Sequence, residues 1–426
     1  ISRKYYRKLL VQLIEKNRLV FVIGPRRTGK STFAEELAEL MKRHAPEGVF
    51  IGRINFEDKN IIRIPVEELL EQFKARYAEG MKNVFIVDEI SHIVDWEQAL
   101  NEVMRLERVK VILLSSTRSV YSARLEPVSK GECAVVEMAP MSLGEFVTFH
   151  GFKPVSASEP ICECKRFRAY NESILTLKEI YELYGEVGGM PVVGREQLLG
   201  HNAWISSEGT YCSIVTHDML EVGSKVGKTN LTDPLLLRTI ITELARTAGT
   251  NISATQIGKR TVEYLQRPSS TKTVESYLRA ILNSGMFYIS ERFDIKNGVR
   301  LKTLAKFYFA DTSVFNYVTG SRRPTTPALL ENLVFLEFLR RGSVITNGKL
   351  GQDEVTFVLD PDSERVYVQV PRGEDDATRQ RALTTLRRIK DNHPKVLIEM
   401  RTATKKTSDG ILIMNALEFL MGAKLK

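Results

Sequence analysis

Gly24-Pro25-Arg26-Arg27-Thr28-Gly29-Lys30-Ser31 has the glycines, lysine and hydroxyl of a loop that wraps a phosphate chain. The glycines let the backbone curl so that its N–H groups face one anion, and the start of a following helix adds positive potential. In such a loop Lys30 reaches the β- and γ-phosphates of a nucleotide and the Ser31 hydroxyl ligates Mg²⁺. Thr32, the next residue, joins the candidate phosphate contacts. A chance match to the full pattern in a chain of 426 residues is roughly 1–2%. The setting lowers that further, because an apolar run precedes the loop and an amphipathic one follows it.

A second element must supply carboxylates. Val84-Phe-Ile-Val87 runs into Asp88-Glu89, an apolar strand that ends in two acids. Alone, that pair is better explained as a solvated turn. With the loop upstream, Asp88 is expected to hold Mg²⁺ and Glu89 to orient and deprotonate an attacking water. The next apolar run ends in Ser115-Ser-Thr117-Arg-Ser119. Ser115 and Thr117 are candidates for the γ-phosphate or the water, although hydroxyls after a strand also serve as helix caps. The sequence carries no Asn/Thr-Lys-x-Asp element for reading guanine, which favours ATP.

The surrounding periodicity supplies the scaffold. Leu19–Ile23, Val49–Ile51 with Ile54, Val84–Val87, Val109–Leu114 and Val135–Met138 read as strands. Helical patterns over about 31–43 and 96–106 separate them, which predicts a parallel sheet covered on both faces. Tyr6, Leu9, Leu10, Leu13 and Ile14 share one face of an N-terminal helix, which reads as packed rather than membrane-bound. A Pro/Ser/Gly-rich break near 151–160 suggests a linker. Helices over 235–247, 253–261 and 270–283, then strands at 286–291 and 301–309 around Asn297-Gly298, give three helices and a hairpin. That is the layout of a winged helix. A last segment follows Pro324 and Pro327, with a helix at 328–340, strands near 354–359 and 365–370, a helix at 376–390 and a strand at 395–399.

Composition sets broad limits. The chain is 43% hydrophobic and 27% charged, enough apolar material for about two to four domains. Four irregularly spaced cysteines suit a reducing cytoplasm, and Cys162-Glu-Cys164 has no second Cys/His pair to complete a metal site. No apolar run reaches the roughly 20 residues that span a bilayer, and the first residues lack the apolar core of a leader. A cytoplasmic protein without membrane contact is expected. The net charge of +9 hints at a polyanionic partner.

Several elements together resemble the prokaryotic AAA-type ATPases of the STAND-like archaeal and bacterial group. They are Gly24–Ser31, Ile54-Asn-Phe-Glu-Asp58, Asp88-Glu-Ile90 with Asp95-Trp-Glu97, and Pro140-Met-Ser-Leu-Gly-Glu-Phe146. Tyr184-Gly-Glu-Val-Gly-Gly-Met-Pro191 and Leu330-Glu-Asn-Leu-Val-Phe-Leu-Glu337 continue the likeness, so it covers nearly the whole chain. It implies an α/β fold: a P-loop NTPase core with a parallel sheet over 1–152, a helical lid over 153–232, a winged helix over 233–325 and a small α/β restriction-nuclease-like module over 326–426. The implied activity is hydrolysis of ATP with Mg²⁺. Two positions depart from the pattern. Gly131-Glu132 stands where relatives carry Gly-Arg, which leaves Arg26, Arg27, Arg118 and Arg124 as alternative cations. In the end module Thr356, Gln369 and Pro371 replace the acids and lysine of a nuclease, so a structural or docking role is expected there.

The third helix of a winged helix enters the major groove and its wing touches the backbone. Lys272, Thr273, Ser276, Tyr277 and Arg279, with Arg292, Lys296, Asn297, Arg300 and Lys302 on the wing, are the candidate DNA contacts. Such modules also serve as lids or protein-docking surfaces, so a protein partner stays open. Two functions lead, an ATP-driven switch or remodeller acting on DNA or a protein and a DNA-binding regulator that uses ATP as a structural ligand. A third, an ATP-regulated nuclease, would require Mg²⁺-dependent cleavage through Glu331 or Glu354.

Overall fold

The computed structural model describes residues 3–44, 46–56, 65–90, 93, 95–122, 124–221, 231–321, 327–360, 362–373 and 375–425. Asp58 of the resemblance lies outside them. The chain forms two compact units, one of Ile1–Met138, Cys212–Leu231 and Asn283–Gly285, the other of Ala139–Tyr211, Thr232–Leu282 and Met286–Lys426.

The first unit is built on five parallel strands, β1 (Leu19–Ile23), β2 (Val49–Asn55), β3 (Lys82–Asp88), β4 (Val109–Ser115) and β5 (Cys133–Glu137), in the order β2-β3-β4-β1-β5. Side chains of a strand alternate between faces, so an apolar run on every position means that both faces are covered. Leu19, Phe21 and Ile23 of β1 enter one core with Phe85, Val87, Val111 and Leu113, beneath Leu69 and Phe73 of helix Val66–Lys74 and Trp96, Leu100 and Val103 of helix Trp96–Arg105. Val20 and Val22 enter the opposite core with Val84, Ile86, Ile112 and Leu114. Tyr6, Leu10 and Ile14 of helix Lys4–Lys16 and Phe33 and Leu37 of helix Lys30–His44 close that face. The N-terminal helix is therefore a layer of the fold. No helix among the described residues is long and apolar enough to cross a membrane.

The second unit holds a three-stranded antiparallel sheet of β6 (Lys153–Pro154), β7 (Arg166–Arg168) and β8 (Ile174–Thr176). Helices Leu177–Val187, Pro191–Leu198 and Ala203–Ser213 follow. Helices Pro234–Arg246, Ala254–Leu265 and Thr271–Asn283 precede the hairpin of β9 (Phe287–Asp294) and β10 (Val299–Phe309). Next in the chain come β11 (Ile345–Leu350), β12 (Asp353–Leu359), β13 (Val366–Gln369), β14 (Lys395–Glu399), β15 (Lys405–Lys406) and β16 (Leu412–Asn415).

The two units do not follow the expected divisions at 152, 232 and 325, which remain a proposal. Residues 212–231 return to the first unit, and the hairpin shares one eight-stranded sheet, β10-β9-β11-β12-β13-β14-β16-β15, with the end segment. The cause is local. The free side of β9 pairs in parallel with β11 through Arg292 to Asn347 and Asp294 to Lys349, and Asn347 Nδ2 donates to the carbonyl of Ser290 at 2.9 Å. Phe293 of the hairpin then packs in the same core as Val355, Tyr367, Leu383, Leu386 and Ile413.

A buried charge cluster ties this sheet to helix Pro327–Arg340. Glu331, 1% exposed, takes Lys306 Nζ at 3.1 Å and the Tyr308 hydroxyl at 2.7 Å on Oε1, and Arg372 Nε at 2.7 Å on Oε2. Lys306 also pairs with Glu354. Burial pushes the Glu331 carboxyl up, but Lys306 and Arg372 outweigh it and hold it below the ordinary value of 4.5. Its contribution to stability is therefore complete above about pH 4.5 and lost as acid titrates it through the depressed value. Lys306→Met, which leaves Glu331 buried without its lysine, is expected to cost about 3–5 kcal/mol in urea unfolding. A loss under ~1 kcal/mol would show the pair to be dispensable.

Candidate functional site

Strand register brings the chemical residues to one edge of the first sheet. Ile23 of β1 lies opposite Ser115 of β4, and Leu114 of β4 opposite Asp88 of β3. The loop at 24–31, the hydroxyls at 115–117 and the acids at 88–89 therefore emerge side by side at the carboxyl ends, where open parallel sheets hold their ligands.

The loop fits a phosphate group on three observations. A Cβ on Gly24 would stand 2.1 Å from the Met138 carbonyl oxygen, so the backbone passes β5 only because that residue is glycine. Arg27 at φ 67° and Gly29 at φ 89° turn the chain back on itself into the helix that begins at Lys30. The Thr28 hydroxyl closes onto the Pro25 carbonyl at 2.9 Å, and the buried Arg3 guanidinium holds the Thr28 carbonyl at 3.0 Å. Lys30 is 4% exposed and folds over its own loop, donating to the carbonyls of Gly24 at 3.0 Å and Pro25 at 3.1 Å. Ser31 is half-buried on the first helical turn, and Thr32 beside it is exposed. Asp88 is fully buried at the end of β3. Ser31 and Asp88 are the residues that would hold Mg²⁺.

Glu89 takes a left-handed backbone, φ 54°, which a non-glycine residue adopts where its surroundings enforce it. Its N–H donates to the Leu114 carbonyl at 2.9 Å. Its side chain, 3% exposed, places Oε1 3.6 Å from Lys30 Nζ, while Oε2 accepts from the Ser116 N–H at 3.0 Å and the Ser116 hydroxyl at 3.1 Å.

Among the three consecutive hydroxyls, the middle one reaches Glu89. Ser115 Oγ instead bridges the backbone of Thr117, donating to its carbonyl at 3.1 Å and accepting its N–H at 3.2 Å, and Thr117 Oγ1 lies 2.7 Å from Ser119 Oγ. Nothing in Ser-Ser-Thr distinguishes these roles in the sequence. A second residue carried no signal at all. Asp218, in the widened helical stretch Ile214–Glu221, accepts from the Ser116 hydroxyl at 2.9 Å and from Arg26 Nε at 3.2 Å.

The candidate arginines are engaged differently. Arg26 binds Asp218, Arg118 binds Glu137, Arg27 is exposed, and Arg124 bonds Glu97 through its backbone N–H at 3.1 Å. Burial, with Arg26 adding to it, lowers the Arg27 guanidinium below its usual value. At the departure position Glu132 pairs with Arg18 at 3.7 Å.

In the second unit Lys272, Arg279 and Lys296 are exposed, Thr273 and Ser276 half-buried, and Arg300 is bound to Asp362 at 2.7 Å and Glu291 at 3.8 Å. Tyr277 is not a surface group, contrary to expectation. It is 3% exposed and its hydroxyl accepts the Asp233 N–H at 3.0 Å, because Val274, Tyr277, Leu278 and Ile281 form the inward face of their helix. The end segment's substituted positions satisfy one another, since Gln369 Oε1 accepts from the Thr356 N–H at 2.8 Å and hydroxyl at 2.6 Å. Cys162 and Cys164 lie 3.0 Å apart, and no group of three potential metal ligands occurs among the described residues.

A parallel sheet in this order, with a Gly-x₄-Gly-Lys-Ser loop after β1 and acids after β3, is the arrangement of a P-loop NTPase fold. Residues 16–147 match the AAA domain family, and residues 178–325 match a domain of unknown function, DUF8612. An uncharacterized protein of Haemophilus influenzae is 24% identical over 424 residues, covering 99% of this chain and 98% of its own length. An uncharacterized protein of Methanocaldococcus jannaschii is 23% identical over 348 residues, 79% of this chain and 70% of that one. Among solved structures, a Walker-type ATPase of Pyrococcus abyssi superposes with a TM-score of 0.46 at 14% identity, over 74% of this chain and 95% of that one.

Proposed function

We propose that this chain binds ATP with Mg²⁺ in the loop Gly24–Ser31 and hydrolyses it, using the nucleotide state to act on DNA or a protein partner. The observation that carries this reading is the buried Lys30 ammonium, held on the Gly24 and Pro25 carbonyls and 3.6 Å from Glu89. An ammonium so placed is set to exchange carbonyl partners for phosphate oxygens.

The residues divide the work. Backbone N–H groups of the loop cradle the phosphates, and Lys30 neutralises the terminal pair. Mg²⁺ on Ser31 and Asp88 would offset charge on the transferring phosphoryl group. Glu89 aligns a water and takes its proton as the water oxygen bonds to the γ-phosphorus. The bond from that phosphorus to the β-bridging oxygen breaks, and its electron pair leaves with ADP. The Ser116 N–H holds the Glu89 carboxylate in place, and the Ser116 hydroxyl, shared with Asp218, can add a second bond to it. The source of an arginine for the terminal phosphate stays between Arg26, Arg27 and a partner.

For the second unit the reading is a winged helix, three helices followed by the β9–β10 hairpin, whose exposed Lys272, Arg279 and Lys296 are free of acidic capture in the contacts described above. Thr273, Ser276 and Arg300 complete the proposed DNA-facing set. The test is ATP turnover by the purified protein with and without duplex DNA, at about 50 and 200 mM salt. Stimulation at the lower salt that fades at the higher is expected. Turnover indifferent to DNA at both would assign the output to a protein partner instead.

A further inference from the structure

Asp218 reaches the loop from a distant part of the chain, 102 residues beyond its partner Ser116. It is 3% exposed. Its Oδ1 sits 3.2 Å from both Nε and Nη2 of Arg26 and 2.9 Å from Ser116 Oγ, and its Oδ2 has no hydrogen-bond partner among the described residues. Ser116 has a single hydroxyl proton and faces two carboxylates, Glu89 Oε2 at 3.1 Å and Asp218 Oδ1 at 2.9 Å, so it cannot serve both fully. Lys30 is likewise matched by Glu89. Two of the loop's cations, Arg26 and Lys30, are thus answered by carboxylates of the chain itself, in the place where the proposed function puts phosphate oxygens. Burial raises the Asp218 carboxyl above its ordinary value, Arg26 opposes that, and Glu89 adds to it.

Resting on the ATP reading, we propose that Asp218 is a built-in rival of the nucleotide's terminal phosphate, which holds Arg26 and Ser116 in the nucleotide-free protein and is driven off when the nucleotide binds. Like charges this close in a water-poor site repel strongly, so a triphosphate and an ionised Asp218 cannot share Arg26. The winner releases the loser. The loser here is a carboxylate on Ile214–Glu221, a stretch wound more widely than an α-helix, a geometry that recurs at functional sites. The chain on each side of Cys212–Leu231, residues up to Tyr211 and from Thr232, belongs to the second unit. Displacing Asp218 therefore gives nucleotide occupancy a covalent route out of the ATPase domain.

The experiment compares wild type with Asp218→Asn by calorimetry with Mg·ATP and by amide hydrogen exchange of the peptide 212–221. Asp218→Asn is expected to bind Mg·ATP about tenfold tighter, because the amide keeps the shape and removes the competing charge. In wild type, exchange in 212–221 should quicken on adding Mg·ATP. In the variant it should be quick already and insensitive to nucleotide. A merely structural aspartate would not tighten binding when changed. If wild type binds Mg·ATP and the variant matches it in affinity and exchange, the rival role is wrong and the ATP reading stands. If neither protein binds, both fall. Should Asp218→Asn fail to fold, Arg26→Gln replaces it: faster exchange of 212–221 without nucleotide supports the contact as a latch, and unchanged exchange overturns it.

Discussion

Lys30→Ala is expected to weaken Mg·ATP binding by on the order of 10²–10³ and to remove turnover with it. The ammonium is the one lysine of the loop and is buried on two backbone carbonyls, which in the proposed reading it would exchange for phosphate oxygens. Each charge-assisted hydrogen bond contributes about 1.5–3 kcal/mol, and ~1.4 kcal/mol is tenfold in affinity. Calorimetry with the intact protein reads the loss directly. An affinity within about threefold of wild type would mean that the phosphates sit elsewhere, and with that the assignment of Gly24–Ser31 would go.

Glu89→Gln should separate binding from chemistry. Oε2 of Glu89 accepts two hydrogen bonds from Ser116, and an amide oxygen accepts the same two, so the side chain keeps its place. What disappears is a group that takes a proton. Turnover is expected to fall by about 10²–10⁴, while ATP binding is retained and, if it changes, tightens, since Lys30 loses an opposing charge. The competing account, in which ATP is a structural ligand of a DNA-binding regulator, expects little change in function from the same substitution. A variant that hydrolyses ATP at the wild-type rate would place the base elsewhere.

The phosphate loop was readable in the sequence because its chemistry is local: eight consecutive residues dictate the turn, the lysine and the hydroxyl. The alternating cores of the first sheet were readable for a similar reason, since strands with every position apolar admit only a two-sided burial. Contacts that join distant stretches were not. Ser116 was hidden among three hydroxyls, and Asp218 belongs to no motif. The Tyr277 placement was recoverable in principle, because Val274, Tyr277, Leu278 and Ile281 follow the helical period.

The two distinctive elements, Pro140–Phe146 and Tyr184–Pro191, turn out to clasp each other. The Tyr184 hydroxyl donates to the Met141 carbonyl at 2.6 Å, the Gly189 N–H to Asp311 at 2.7 Å, and Arg340 Nη2 to the Met141 carbonyl at 3.1 Å. Burial pushes the Tyr184 phenol up to about 12, so it stays a donor at any working pH. Such residues announce themselves in a sequence while their purpose, a buttress rather than a ligand site, waits for the fold.

The sheet shared by the hairpin and the end segment has a corollary for truncation. Losing the last hundred residues would strip β9 of β11 and Phe293 of its packing partners, leaving an open apolar edge prone to aggregation. Thr356 and Gln369, bonded to each other between β12 and β13, help hold those strands in the register on which their neighbours depend.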